Sequence, residues 1–380
     1  MIDIKLKTNC CGCYSCVMVC PKNCIRMNAD SEGFWYPEAD SSACIQCGLC
    51  EKSCPVLNVP ESTAVMNTYA AINNNETQRI NSSSGGVFTL LAEEIISQGG
   101  IVYGAAFNED FSVRHIPCSS SDELERLRTS KYTQSVIGDV FRKVQYDLDN
   151  NRKVLFTGTP CQAAGLKCFL KKEYSNLYIQ DFICHGVPSP KLWEKYLTAV
   201  CGGKTPSHVN FRDKSTGWRK YSVLIEQDSV KNTLPFSQNK YMQLFLNNMC
   251  LRESCYDCHF KSGKKHSDIT LADFWGVWEE LPEFYDDKGV SAVLINSPKG
   301  MELFRSIGAN LSVQEISIDS VIKGNPALVK SCMAHTNRNK YLKLIDKADF
   351  DTIYSKSMAF TFADKVKNKL KRMLTEKTNL

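Results

Sequence analysis

The sequence predicts an α+β protein in two parts, a small cysteine-rich module at the amino end and a larger α/β domain behind it. Three observations carry that expectation. Ten of the 19 cysteines fall within the first 54 residues. Past residue 65, strand-like and helix-like segments alternate. At 380 residues the chain has length for two or three hydrophobic cores.

Composition narrows the class. An apolar content of 43% is that of an ordered globular protein. No apolar run approaches the roughly 18 residues of a membrane span. The start, MIDIKLKTN, lacks the apolar core of a secretory signal, so a cytoplasmic protein is expected. The net charge is +5. Residues 359–380 carry six Lys/Arg against Asp364 and Glu376, a balance of +4, which leaves the rest near +1. A global basic field is absent, and no nucleic-acid partner is expected.

Spacing explains the first cysteines. Cys10-x-x-Cys13-x-x-Cys16-x-x-x-Cys20-Pro21 recurs as Cys44-x-x-Cys47-x-x-Cys50-x-x-x-Cys54-Pro55. This internal repeat is the signature of a bacterial-type ferredoxin with two 4Fe–4S clusters. Three thiolates two residues apart wrap three corners of a cubane, and the fourth points at the other cluster. Cys10, Cys13, Cys16 and Cys54 are therefore assigned to one cluster, and Cys44, Cys47, Cys50 and Cys20 to the second. Zinc has no use for two cysteine triplets each followed by Cys-Pro. Cys11 and Cys24 stand outside the pattern and are read as bystanders. DSEGFWYPEAD, between the repeats, reads as a hairpin giving aromatic cover to the clusters. The module is placed at residues 1–58, and VLNVPESTAV reads as a linker.

The larger domain is placed at residues 65–345. TYAAIN (68–73) reads as a strand, and residues 82–100 as a helix with Val87, Leu90, Leu91 and Ile95 on one face, Ser84 as its cap and Gly99-Gly100 as its stop. IVYGAAF (101–107) follows as a buried strand. Then come KVLFTG, a helix, LYIQDFIC (177–184) and a helix over PSPKLWEKYLTAV. HVNFRD, YSVLIEQ, DITLADFWG and GVSAVLIN (289–296) read as further strands.

A second cysteine set lies in this domain. Cys161 follows one strand in Thr-Pro-Cys-Gln, and Cys184 follows the next in ICHGVPSP. The helix-like QNKYMQLFLNNM leads into Cys250-x-x-x-x-Cys255-x-x-Cys258. Consecutive strands bring two thiols to one sheet edge, and a Cys-x-x-Cys turn supplies two more. Three readings stand at Cys161. It is a nucleophile with His185 as base, a small buried side chain, or, with Cys184, Cys255 and Cys258, a ligand of a third cluster. Zinc would satisfy the same four thiolates.

The order of SSSGGVFTLLAEEIISQGGIVYGAAF, SKYTQS (130–135), GTPCQAAGLKCFL, DFICHGVPS, FRDKSTGW (211–218), SCYDC, SDITLADFWG and KGVSAVLIN resembles the coenzyme F₄₂₀ hydrogenase/dehydrogenase beta-subunit family. The resemblance runs from about residue 65 to about residue 300. It implies an iron–sulfur flavoprotein oxidoreductase that binds FAD and a 4Fe–4S cluster, with cluster cysteines falling here on Cys161, Cys184, Cys255 and Cys258. It also implies a redox partner protein or ferredoxin and a small organic electron acceptor or donor. Ala272 stands where the family commonly has glycine, and Cys11 is not a usual family position.

The flavin expectation has a physical basis. Ser83, Ser84, Gly85 and Gly86 open a helix, where free N–H groups and the helix dipole suit a pyrophosphate. Lys131, Tyr132 and Gln134 form the second expected flavin-contacting segment. Electrons are thus expected to pass between the ferredoxin clusters, a third cluster, FAD and an organic acceptor, in either direction. The alternatives are an electron-transfer subunit without its own substrate pocket and a Cys161/His185 thiol enzyme. The tail (346–380) places Phe362, Val366, Leu370 and Met373/Leu374 on one helical face among lysines. Packing on its own domain is favoured over contact with a membrane surface.

Overall fold

The computed structural model describes residues 1–261 and 263–359. The apolar face expected at Phe362–Leu374 lies outside them. Thirteen strands are present among the described residues: β1 (Ile25–Ala29), β2 (Trp35–Ala39), β3 (Asn67–Asn73), β4 (Ile101–Phe107), β5 (Val113–Cys118), β6 (Val154–Thr157), β7 (Leu177–Phe182), β8 (His208–Asp213), β9 (Ser222–Gln227), β10 (Val230–Pro235), β11 (Ile269–Asp273), β12 (Ser291–Ile295) and β13 (Leu311–Glu315). Eight form one mixed sheet in the order β13-β3-β12-β11-β7-β6-β4-β5. Its centre, β11-β7-β6-β4, is parallel, and both flanks are antiparallel. β8, β9 and β10 form a separate antiparallel sheet, and β1-β2 is the hairpin between the cysteine repeats. The α+β class read from the sequence is the observed one.

Helix Val87–Ser97 buries Val87, Leu90, Leu91 and Ile95, the face its periodicity marks. Its start differs from expectation. The N-cap is Gly86 at φ +83°, a left-handed conformation that glycine adopts without a Cβ penalty, and Ser84 lies in the preceding turn. Ser84 Oγ donates instead to the Val290 carbonyl at 2.8 Å. Helix Pro160–Leu170 is specified locally. Thr159 and Gln162 form a reciprocal capping box, and Pro160 occupies the first turn. Cys161 therefore sits in that first turn rather than at the strand end, and Cys184 lies two residues past β7.

The amino-terminal module shares a core with the sheet. Tyr14 and Met18 pack with Ile101, Tyr103, Phe141, Phe156 and Ile179. Helix Pro160–Leu170 approaches so closely at Gly165 that a Cβ there would stand 2.8 Å from Cys13 Cβ. At the tip of the β1-β2 hairpin, Glu32 is 3% exposed and its Oε2 accepts from Arg338 Nη2 at 2.9 Å. The expected linker also pairs, with Thr63 N–H donating to the Lys265 carbonyl at 2.8 Å. No helix among the described residues is long and apolar enough to cross a membrane. Helix Phe350–Met358, the described start of the tail, packs through Phe350 and Ile353 against Trp193 and Tyr196.

Candidate functional site

The repeated cysteines gather as two crossed sets. Cys20 leaves its own repeat and lines a cavity with Cys44, Cys47 and Cys50, and Cys24 joins them with its Sγ 3.4 Å from that of Cys20. Burial pushes the Cys16 thiol up, and Cys10, Cys54 and Cys50 add to this as neighbouring like charges. Cys13 feels Cys16 and Cys10. Backbone N–H groups reach sulfur in the second set, Ile2 on Cys50 at 3.3 Å and Gln46 on Cys44 at 3.4 Å. Such contacts stabilise negative charge on a cluster.

Cys161, Cys184 and the Cys255/Cys258 pair come together from three places in the chain around another cavity. β6 and β7 pair in parallel, which brings Cys161 and Cys184 to one edge. The segment carrying Cys255 is clamped beside them by Arg252 N–H on the Val187 carbonyl (3.0 Å) and Ser189 N–H on the Cys250 carbonyl (2.9 Å). Val187 N–H reaches Cys255 Sγ at 3.4 Å, and Ser331 Oγ accepts from Cys258 N–H at 2.9 Å. Burial pushes Cys184 well above the usual thiol range, Cys255 up to about 12 and Cys258 up to about 11. Cys161 is pushed up chiefly by its hydrogen bond with Cys11, then by burial. Crowded, buried thiols of this kind need a cation to become thiolates. The four thiols line one shared cavity.

The third-cavity set includes a residue the sequence left aside. Cys11 lines the same cavity as Cys161. It is adjacent in sequence to Cys10, and only the tertiary packing of the module reveals its place. Cys161 Sγ lies 3.0 Å from Thr159 Oγ1. His185 faces elsewhere. Asn248 Nδ2 donates to the Met333 carbonyl, which leaves Asn248 Oδ1 to accept from His185 Nε2 at 2.6 Å. The imidazole lies edge-on to Phe245, and burial lowers its pKa.

A cavity of about 990 Å³ lies next to the cysteine ring, within the range of cofactor pockets. Ile183, Lys261 and Ala327 line both spaces and form the partition between them. Ser83, Ser84, Gly86, Lys131, Tyr132 and His185 line the large cavity. Gly85 packs at its back, its N–H on Ser291 Oγ at 3.0 Å. Gln134 is not in its lining. Its Oε1 accepts from Arg252 Nη1 at 3.1 Å, beside Cys11. Lys131 Nζ donates to the Arg126 (2.9 Å), Arg128 (2.6 Å) and Thr129 (3.2 Å) carbonyls, and burial lowers its pKa to about 7. It folds its own loop onto the cavity.

Arg212 organises that wall, and the sequence reading gave it no role. It bonds Asp273 through both guanidinium ends at 3.0 Å, donates to the Ser83 carbonyl at 3.1 Å and the Tyr132 hydroxyl at 3.3 Å, and lies 4.0 Å over the Tyr221 ring. It thereby joins the two segments read as flavin-contacting. Arg128 and Arg212 both line the cavity, and among the described residues their buried Nε groups have no hydrogen-bond acceptor. The positive charge of Arg128 and Arg212 in the lining, with Arg212 bonded to the segment that opens an 11-residue helix, fits an anionic group such as a diphosphate.

Comparison with known proteins bears on both segments. Residues 151–320 match the family model for the C terminus of the coenzyme F420 hydrogenase/dehydrogenase beta subunit, and residues 9–58 match the 4Fe–4S dicluster domain. The resemblance read from the motifs therefore stands. One subunit of the F(420)H(2) dehydrogenase of Methanosarcina mazei, designated F, is 23% identical over 163 residues, covering 40% of this chain and 46% of that protein. NADH-quinone oxidoreductase subunit I 2 of Geobacter metallireducens is 44% identical over 55 residues, covering 13% of this chain and 42% of that protein. The chain thus spans less than half the length of these curated relatives. A solved structure of the F420-reducing [NiFe] hydrogenase complex from Methanosarcina barkeri matches with a TM-score of 0.48 at 13% identity, over 75% of this chain and 96% of that one.

Proposed function

We propose that this chain, in which a 4Fe–4S dicluster segment precedes a C-terminal domain of the coenzyme F420 hydrogenase/dehydrogenase beta-subunit type, is an iron–sulfur flavoprotein oxidoreductase. Cys10, Cys13, Cys16 and Cys54 hold one cluster, and Cys20, Cys44, Cys47 and Cys50 the second. Cys161, Cys184, Cys255 and Cys258 hold a third, and the large cavity takes FAD. The observation that carries this reading is the shared partition of Ile183, Lys261 and Ala327 between the cysteine ring and that cavity.

The chain's own residues bind and orient. The turn before helix Val87–Ser97, with Arg128 and Arg212, meets the diphosphate. Arg212 ties the Ser83 and Tyr132 segments together. N–H contacts to Cys44, Cys50 and Cys255 stabilise reduced clusters. A bound flavin converts single electrons from the clusters into the two-electron reduction of an organic acceptor, or the reverse. His185, lining the large cavity one residue from Cys184, is the side chain best placed to hold a proton there. A Cys161 nucleophile is disfavoured, because its thiol is pushed up where an activated cysteine is held down.

The relatives are named as subunits, which supports a redox partner protein beside the organic acceptor. Stopped-flow mixing of anaerobic holoprotein, reduced through its clusters, with candidate organic acceptors tests the reading. Flavin reoxidation by a small molecule alone supports an enzyme with its own substrate pocket. Reoxidation only by a protein partner identifies an electron-transfer subunit.

A further inference from the structure

Arg252 is a buried guanidinium with no carboxylate. It is fully enclosed, and among the described residues no Asp or Glu pairs with it. Its Nε donates to the Cys10 carbonyl at 2.8 Å, Nη1 to Gln134 Oε1 at 3.1 Å, and Nη2 to the Trp35 carbonyl at 3.0 Å and Cys10 Sγ at 3.5 Å. The Tyr36 ring lies 4.1 Å beneath it. The same side chain lines the cavity ringed by Cys161, Cys184, Cys255 and Cys258. Burying a charge without a counter-charge is costly. The neighbouring anionic groups that can offset it are the thiolates of the two cysteine sets on either side.

Two further contacts put those sets next to each other. Cys11, peptide-bonded to Cys10, lines the same cavity as Cys161. Cys13 abuts Gly165, one helical turn beyond Cys161. Among the described residues, none of Cys20, Cys44, Cys47 and Cys50 lines the third cavity, and the lining of their own space comes from residues 1–50.

We propose that Arg252 is the positioning residue of the electron step between the Cys10/Cys13/Cys16/Cys54 cluster and the third cluster, its charge stabilising the reduced form of both. The proposal rests on the cluster assignment made under Proposed function. The step balances simply. One electron leaves one reduced cluster and enters the oxidised other, and no bond or proton moves. The order of the relay follows: the Cys20/Cys44/Cys47/Cys50 cluster outermost, the Cys10 cluster next, then the third cluster and the large cavity.

EPR-monitored redox titration of anaerobic full-length holoprotein tests it, with signals assigned by their loss in Cys47→Ser and Cys258→Ser. In Arg252→Gln, the reduced-to-oxidised ratio of the Cys10 cluster and of the third cluster at fixed poise falls about tenfold or more, which is about 59 mV for a one-electron couple. The Cys20/Cys44/Cys47/Cys50 cluster shifts less than about threefold. Arg252→Lys, which keeps the charge, returns both affected ratios to within about threefold of wild type. Unmoved ratios, equal shifts of all three clusters, or a lysine variant that behaves like the glutamine one overturn the proposal. Should Arg252→Gln lose iron on purification, the lysine variant decides: ratios within about threefold support the proposal, and a tenfold fall overturns it. Wild-type protein with about eight irons rather than about twelve marks instead a failure of the three-cluster assignment.

Discussion

Replacing Arg212 with glutamine probes the hinge of the cofactor cavity. The Arg212 side chain is 2% exposed, and Asp273 is held at 3.0 Å by both ends of its guanidinium. Charges about 4 Å apart attract by about 4 kcal/mol at an effective dielectric constant of about 20. Removing one member of such a buried pair leaves the other uncompensated, at a cost of about 3–5 kcal/mol. Trp218 Nε1 still donates to Asp273 Oδ1 at 2.9 Å, which puts the expected loss at the lower end. The bonds to the Ser83 carbonyl and the Tyr132 hydroxyl go too, so the two segments around the cavity lose their common tie. Loss of about 1.4–2.8 kcal/mol of that ordering weakens FAD binding about tenfold to hundredfold. Flavin per chain after desalting, FAD titration and urea unfolding read the two effects. A variant that keeps full flavin through desalting and unfolds within about 1 kcal/mol of wild type refutes the role given to Arg212.

Gly165→Ala forces a Cβ to within 2.8 Å of Cys13 Cβ, and overpacking of this kind costs about 1–3 kcal/mol. The expected result is selective loss of the Cys10 cluster signal with the Cys20/Cys44/Cys47/Cys50 signal kept, read by EPR and iron content. His115 is 3% exposed, with Nδ1 2.6 Å from Ser135 Oγ and Nε2 2.9 Å from the Thr157 carbonyl, and burial lowers its pKa to about 4. The unfolded chain takes up this proton near pH 6.5 and the folded chain near pH 4, so stability falls as pH drops through that window. The difference amounts to about 3 kcal/mol across the window and about 1 kcal/mol by pH 5.5. Urea unfolding of His115→Gln between pH 7 and 5.5 should lack that slope, and an unchanged slope contradicts it.

What the sequence disclosed depended on how far apart the partners lie in the chain. The 4Fe–4S dicluster segment was readable because its cysteines repeat at fixed spacing and each fourth cysteine is marked by proline. The second cysteine set was readable as a group because β6 and β7 are consecutive and pair in parallel, which carries Cys161 and Cys184 to one edge. Three strands escaped notice. β10 is exposed along nearly its whole length, β13 buries only Leu311, and β5 is an edge strand carrying Pro117, so none shows a clear half-buried alternation. The helix starts two residues later than the Ser84 cap implies, because Gly86 takes the N-cap in a left-handed conformation where a Cβ would crowd Asn73 and Arg79. Cys11, Gln134, Arg212 and Arg252 gain their meaning only from tertiary packing. Arg252 lies 242 residues from the Cys10 it bonds, and no local pattern records that pairing. Gln134 was assigned to the flavin from its neighbours Lys131 and Tyr132, but the chain turns between them and points it at Arg252.

The central claim is that three cysteine sets each grip a cubane, with the third beside a flavin. Iron, acid-labile sulfide and released flavin, counted on anaerobically purified full-length chain, test it most directly. The account predicts about twelve irons and one FAD per chain, falling to about eight irons in Cys258→Ser with the ferredoxin signals intact. A wild-type chain with about eight irons, or one that is catalytically competent without flavin, contradicts it.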